Sequence, residues 1–419
     1  MQQNARYTFV FIVTPMHLAH PTVVSLAQGP HASWTLLRNG SPLTIRGVGG
    51  SGRPDLLAAL GGNAFRTWHT EDTRVLDEAH AEGLVVMAGL SVGHERHGFD
   101  YTDQARVEQQ RAGILAIVRA VKEHPALLIW GLGNETEGFE RPEGNPLVWR
   151  ELDNLARLIK EEDPFHPVCT VIAGPGEKKL ASFQRYCPHV DILGVNAYGD
   201  AHLIPDALAR AGITRPFLLT EFGPTGHWEV RQTPWGAPIE PAGHDKYRTY
   251  LQTYRDIQER ASGRCLGTFA FLWGQKQEVT PTWYGMFLPS GEKTPAVDAM
   301  ALAWTDETPA SPSPHILELV STLAEATVPP GSAHEVSARL SPSPVPLALE
   351  WRILEESRDR KIGGDPESVP PDWSRDVSPL SGARCRLVAP AAPGAYRLFL
   401  YVRDGKGGGV AANFPFRVA

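Results

Sequence analysis

From Thr44 to Trp304 the chain repeats one pattern: a short apolar run, then a longer stretch with apolar residues at helical spacing. The runs are TIRGVGG (44–50), NAFRTWH (63–69), LVVMAGLSV (84–92), ALLIWGLGNE (126–135), PVCTVIAG (167–174), DILGVNAYG (191–199), PFLLTEFG (216–223) and CLGTFAFLWG (265–274). Continuous apolar runs suit parallel strands covered on their outer face by helices. Eight strand–helix units over such a length predict an α/β fold, a (β/α)8 TIM barrel. The alternative, a doubly wound open sheet, calls for a glycine-rich phosphate loop after the first strand. GVGGSG does not fit that loop in register.

Beyond Trp304 the texture changes. TDETPASPSP reads as a linker, and from His315 onward short alternating runs (HILELVST, HEVSARLS, LALEWRIL, AYRLFLYVRD, ANFPFRVA) predict a small all-β sandwich. GGDPESVPPD reads as a long polar loop within it, in a module expected to be structural or sugar-presenting and not catalytic. The resulting division is 1–34 N-terminal segment, 35–305 barrel, 306–314 linker and 315–419 sandwich.

The N-terminal segment holds an apolar stretch followed by Ser25-Leu26-Ala27, which fits a small-x-small cleavage site, so export to the periplasm or medium is expected. No later stretch is long and apolar enough to span a membrane. Lys and Arg total 40 against 47 Asp and Glu, a net charge of -7 with no basic stripe, which argues against nucleic acid as the partner. The four cysteines form no CxxC pair, against a zinc cluster or thioredoxin-type chemistry, and Cys169 and Cys265 read as buried thiols. The oligomeric state cannot be read from the chain.

In a (β/α)8 barrel, chemistry gathers where the strands end. The second strand ends in Arg66, Trp68 and His69; the third leads to His94, Glu95 and His97. The fourth delivers Asn134 and Glu135, the sixth Asn196 and Tyr198, the seventh Glu221 and the eighth Trp273. Two carboxylates facing one barrel mouth can flank a glycosidic bond. HERHGFDY is not HExxH, and contacts to sugar hydroxyls explain its histidines more simply than a metal does. No GxSxG elbow is present, which disfavours a serine hydrolase.

GLGNETEG and LLTEFG resemble the acid/base and nucleophile motifs of retaining clan A glycoside hydrolases. LRNGSPLTIRGV, NAFRTWH and VNAYG bring the resemblance closest to the TIM barrel of glycoside hydrolase family 2, the β-galactosidase and β-glucuronidase relatives. The tail resembles, more loosely, an immunoglobulin- or PKD-type module. The resemblance implies a retaining β-glycosidase that needs no cofactor or metal and acts on β-linked oligo- or polysaccharide, β-glucans included, in an open cleft.

Within that resemblance Glu135 is the general acid and then base, and Glu221 the nucleophile. Asn134 binds the sugar 2-hydroxyl. Arg66 and Tyr198 lie near Glu221 and favour its charged form, Asn196 steadies Tyr198 or Glu135, and Trp273 floors the sugar subsite. Trp68, His69, His94, Glu95 and His97 complete the substrate contacts, and Glu137 serves a subsite rim. A transglycosylase using the same two carboxylates and a catalytically silent glycan-binding protein are the rival readings.

Overall fold

The computed structural model describes residues 22–261 and 263–419. Most of the predicted leader therefore lies outside the described residues. Ser25, Leu26 and Ala27 fall within the first strand, β1 (Val24–Gln28), which pairs antiparallel with β2 (Trp34–Arg38), itself paired with β3 (Ser41–Pro42). The sequence pattern did not announce this small sheet.

Eight parallel strands follow: β4 (Ile45–Gly50), β5 (Ala64–Arg66), β6 (Val85–Leu90), β7 (Leu127–Leu132), β8 (Val168–Ala173), β9 (Ile192–Asn196), β10 (Phe217–Phe222) and β11 (Cys265–Trp273). They pair in chain order and close into a barrel through β11 and β4. Every predicted run became a barrel strand. The connecting helices are α1 (Pro54–Ala59), α2 (Arg74–Ala81), α3 (Gln104–Val121), α4 (Pro146–Glu162), α5 (Glu177–Tyr186), α6 (Ile204–Arg210), α7 (Gly243–Arg260) and α8 (Pro295–Thr305). Among the described residues no helix is long and apolar enough to cross a membrane.

Local chemistry explains α4, the helix behind the fourth strand end. Asn145 caps it, its side chain accepting from Leu147 N at 3.0 Å, and Pro146 fits the first turn because no backbone donor is needed there. Val148, Leu152, Leu155 and Ile159 then recur on one face and are buried against the barrel.

The strands' inward faces form a separate core of Ile45, Val85, Met87, Ile129, Cys169, Ile192 and Phe269. Gly47 makes room for Phe269, whose ring lies 2.4 Å from where a β-carbon at position 47 would stand. Val24 and Leu36 of the N-terminal sheet join this core and plug the end at which the strands begin. The opposite end, where the strands finish, is left for the site. All four cysteines are unbridged.

The C-terminal unit contains two four-stranded sheets. One is β12 (Ile316–Val320), β14 (Ala333–Leu340), β17 (Arg384–Val388) and β16 (Val377–Pro379); the other is β13 (Thr327–Val328), β19 (Gly409–Val418), β18 (Gly394–Arg403) and β15 (Ala348–Glu355). Val336, Ile353, Leu387, Leu398 and Phe416 fill the space between them.

This unit is welded to the barrel. Arg397 is buried and donates to both carboxylate oxygens of Glu356 (3.0 and 2.8 Å), to Asn413 Oδ1 (2.7 Å) and to Pro238 O (2.8 Å). Asn413 in turn donates to Glu240 (2.7 Å), which also accepts from Lys246 (2.6 Å) and Thr280 (2.6 Å) of the barrel side. The 306–314 stretch is pinned rather than loose: Ser313 is buried and donates its backbone N–H to Asp298 at 2.6 Å.

Candidate active site

Glu221 lies near the end of β10, 6% exposed, where the pairing with β9 shifts register between Leu219 and Glu221. Three donors from two other elements converge on its carboxylate. Arg66 Nη1 and Trp68 Nε1 reach Oε1 at 2.8 and 3.0 Å, and Tyr198 Oη reaches Oε2 at 3.0 Å. The Arg66 guanidinium, 2% exposed, also donates to Thr220 O (2.8 Å) and Asn134 Oδ1 (2.6 Å), so its planar fork fixes both strand ends at once. Burial, and next the Glu221 charge, push the Tyr198 phenol well above its ordinary value, which keeps it a proton donor to that carboxylate.

Glu135 follows β7 with φ 52°, a left-handed conformation that a residue with a β-carbon adopts at a cost of roughly 1–3 kcal/mol. Its backbone N–H is tied to Val171 O at 2.9 Å, and its Oε1 accepts from Asn196 Nδ2 at 2.8 Å. Asn196 also donates to Asn134 (3.0 Å), and its own Oδ1 accepts from Thr220 (2.8 Å). A single hydrogen-bonded chain therefore runs Glu135–Asn196–Asn134–Arg66–Glu221. Burial first, and the Glu221 charge second, push the Glu135 carboxyl up to about 7, against the lowering effect of the Asn196 hydrogen bond. One carboxyl is thus set to hold a proton near neutrality while the other sits in an ion pair with Arg66. Both line one cavity of about 910 Å³.

The structure brings Arg66, Trp68, Asn134, Asn196 and Tyr198 to the two carboxylates, and His69 to the cavity wall. Other predicted contacts lie elsewhere. Trp273 faces away from the cavity: it donates to Gly52 O at 2.8 Å and packs edge-on against Phe287 in the core. The aromatic that β11 presents to the cavity is Phe271. Glu137 is no rim residue; it is buried, 2.8 Å from Lys179, and accepts from Ala173 N.

His94, Glu95 and His97 form an outer layer. The His94 ring meets Arg96 at 2.7 Å, and burial with the Arg96 charge pushes its imidazole down to about 4. Glu95 accepts from Asn145 (2.7 Å), and His97 meets Asp365 (2.8 Å) of the C-terminal unit.

Several cavity residues were invisible in the sequence: Asp200, His227, Trp228 and Lys276 from the barrel loops, and Lys361 and Ile362 from the C-terminal unit. Loop residues carry no periodic signal, and nothing in GGDPESVPPD says which way its loop faces. The expected open cleft is walled on one side by that loop.

Residues 54–228 match the family model described as glycosyl hydrolases family 2, TIM barrel domain. The matched stretch contains both Glu135 and Glu221. Over 156 residues the chain is 29% identical to the β-glucuronidase of Felis catus, covering 34% of this chain and 21% of that protein. It thus spans about a fifth of the length of that curated relative. Among solved structures, the fold is similar to β-glucuronidase 2 of Bacteroides uniformis, with a TM-score of 0.52 and 13% identity over 94% of this chain and 48% of that one. It is also similar to a β-D-glucuronidase of Dictyoglomus thermophilum, with a TM-score of 0.51 and 18% identity over 68% of this chain and 54% of that one. At these identities the structural likeness is one of fold alone.

Proposed function

We propose that this protein is a retaining β-glycoside hydrolase acting on β-linked oligosaccharides. One observation carries the reading: a single cavity holds two carboxyl groups in opposite electrostatic settings. Glu135, pushed up to about 7, holds the proton that a leaving oxygen needs. Glu221, ion-paired to Arg66 and held by Trp68 and Tyr198, is fixed as the attacking carboxylate.

In the first step the Glu221 carboxylate attacks the anomeric carbon as Glu135 passes its proton to the departing oxygen. In the second, Glu135, now a carboxylate, takes a proton from water as that water displaces Glu221. Asn134, held by Arg66 and Asn196, is placed to meet the sugar 2-hydroxyl.

The test is a panel of β-linked substrates with product anomers followed by NMR. β-Glucuronides belong in it because the relatives are named β-glucuronidases, alongside β-glucan oligosaccharides. Retention of configuration, with a 2-deoxy-2-fluoro glycoside labelling Glu221, is the expected result. Inversion, or a label on another residue, would sink the reading. Adding acceptor sugars to the same assay separates hydrolysis from transglycosylation.

A further inference from the structure

Just beyond Glu356 the C-terminal unit sends a loop back across the barrel mouth. Polar ties to the barrel and within the loop hold it there. Asp365 meets Arg96 at 3.2 Å and His97 at 2.8 Å. Lys276 Nζ donates to Gly364 O at 2.7 Å, Val279 N to Glu367 at 2.7 Å, and Arg360 to Gly236 O at 2.9 Å. Lys361 N donates to the other Glu367 oxygen at 3.1 Å. The base of the loop continues into the buried Glu356–Arg397 pair.

So tethered, the loop leaves an aliphatic side chain uncovered. Ile362 is 67% exposed and lines the catalytic cavity. Beyond it, Gly363 and Gly364 both take left-handed backbone (φ 67° and 74°). A β-carbon at Gly363 would stand 3.0 Å from both the Phe139 ring and the Arg96 guanidinium. Phe139, itself 41% exposed and also lining the cavity, is therefore backed by the loop, with Arg96 over its ring at 5.8 Å.

Phe139 lies four residues beyond Glu135 on the same connection. Both apolar side chains line the cavity that holds Glu135 and Glu221, and Gly363, the neighbour of Ile362, abuts the Phe139 ring. A scattered exposed apolar residue needs no explanation, but two that converge on one wall, on a backbone fixed by ion pairs, form a ligand surface.

We propose that this loop builds the leaving-group subsite, with Ile362 and Phe139 receiving the C–H face of a second sugar ring. The inference rests on Glu135 being the acid. A sugar suits the wall better than a purely apolar group. Lys276, which meets Glu278 and Gly364 O at 2.7 Å each, and Lys361, which meets Asp359 at 2.5 Å, border the same surface, and each ammonium keeps a further N–H for the ring's hydroxyl edge.

The test compares two substrates of the same glycosyl group: a β-linked oligosaccharide and the corresponding glycosyl fluoride, whose leaving group cannot reach the subsite. For Ile362→Ala and for Phe139→Ala, the ratio of kcat/KM on oligosaccharide to kcat/KM on fluoride should fall roughly tenfold. Both side chains are exposed enough for truncation to leave folding intact. An unchanged ratio in Ile362→Ala overturns the proposal, including the case in which Phe139→Ala alone moves it. So does a wild type that favours an aryl glycoside over the oligosaccharide and loses that preference in Ile362→Ala, since the wall would then serve an aryl group. A wild type that turns over no β-glycosyl fluoride removes the glycosidase reading itself, and the subsite with it.

Discussion

Arg66 and Glu221 stand 155 residues apart in the chain and meet at 2.8 Å, both almost fully buried. Two buried charges are tolerable only when each is paired and its remaining hydrogen-bonding capacity is met. Here the same guanidinium also holds Asn134.

Replacing Arg66 by Lys keeps the charge but loses the fork. One ammonium cannot meet Glu221, Thr220 O and Asn134 with the same geometry. Arg66→Lys should lower kcat on the order of 100-fold, with a smaller effect on KM. Steady-state kinetics on any turned-over β-glycoside checks it, and a near wild-type kcat would show that the fork is dispensable.

On the proposed reading Glu135 is the acid, and its removal should be selective. Glu135→Gln is expected to cost roughly 10²–10⁴-fold on substrates with poor leaving groups. Glycosylation by activated leaving groups, which depart without a proton, should suffer far less. Pre-steady-state bursts on activated and unactivated substrates make the comparison.

The pH dependence follows from Glu135, whose carboxyl is pushed up to about 7. Below that value it carries the proton; above it the acid is lost, so kcat/KM should fall about tenfold per pH unit on the alkaline side. Stability should move the same way. Between the ordinary value of 4.5 and about 7 the folded state binds more protons at this site than the unfolded chain. Its contribution to stability therefore falls as pH rises through that window. Glu135→Gln should erase both the alkaline limb near 7 and this slope in denaturation midpoints.

The buried ion pair of the C-terminal unit that holds Arg397 against Pro238 O of the barrel side should be measurable. Glu356→Ala leaves the Arg397 guanidinium buried without its carboxylate partner. The expected loss is about 3–5 kcal/mol in chemical denaturation. A change under 1 kcal/mol would mean that Asn413 and Pro238 O suffice to hold Arg397.

The barrel was legible in the sequence because its signal is local. A strand covered by helices must be apolar along its whole length, and eight such runs imply closure. Glu135 and Glu221 were legible for a related reason: polar groups ending a buried strand point to the barrel mouth. The N-terminal sheet escaped because its strands are short and resemble a leader.

The sequence alone determined the eight strands, the order in which they pair and the strand ends that carry the two carboxylates, since backbone hydrogen bonding and burial follow from residue pattern. Only the tertiary structure decided which polar neighbours reach those carboxylates, that Trp273 belongs to the core while Phe271 faces the cavity, and that a loop from the C-terminal unit walls the mouth. Those outcomes depend on side-chain direction and on contacts between residues hundreds apart in the chain, and neither leaves a periodic trace in the sequence.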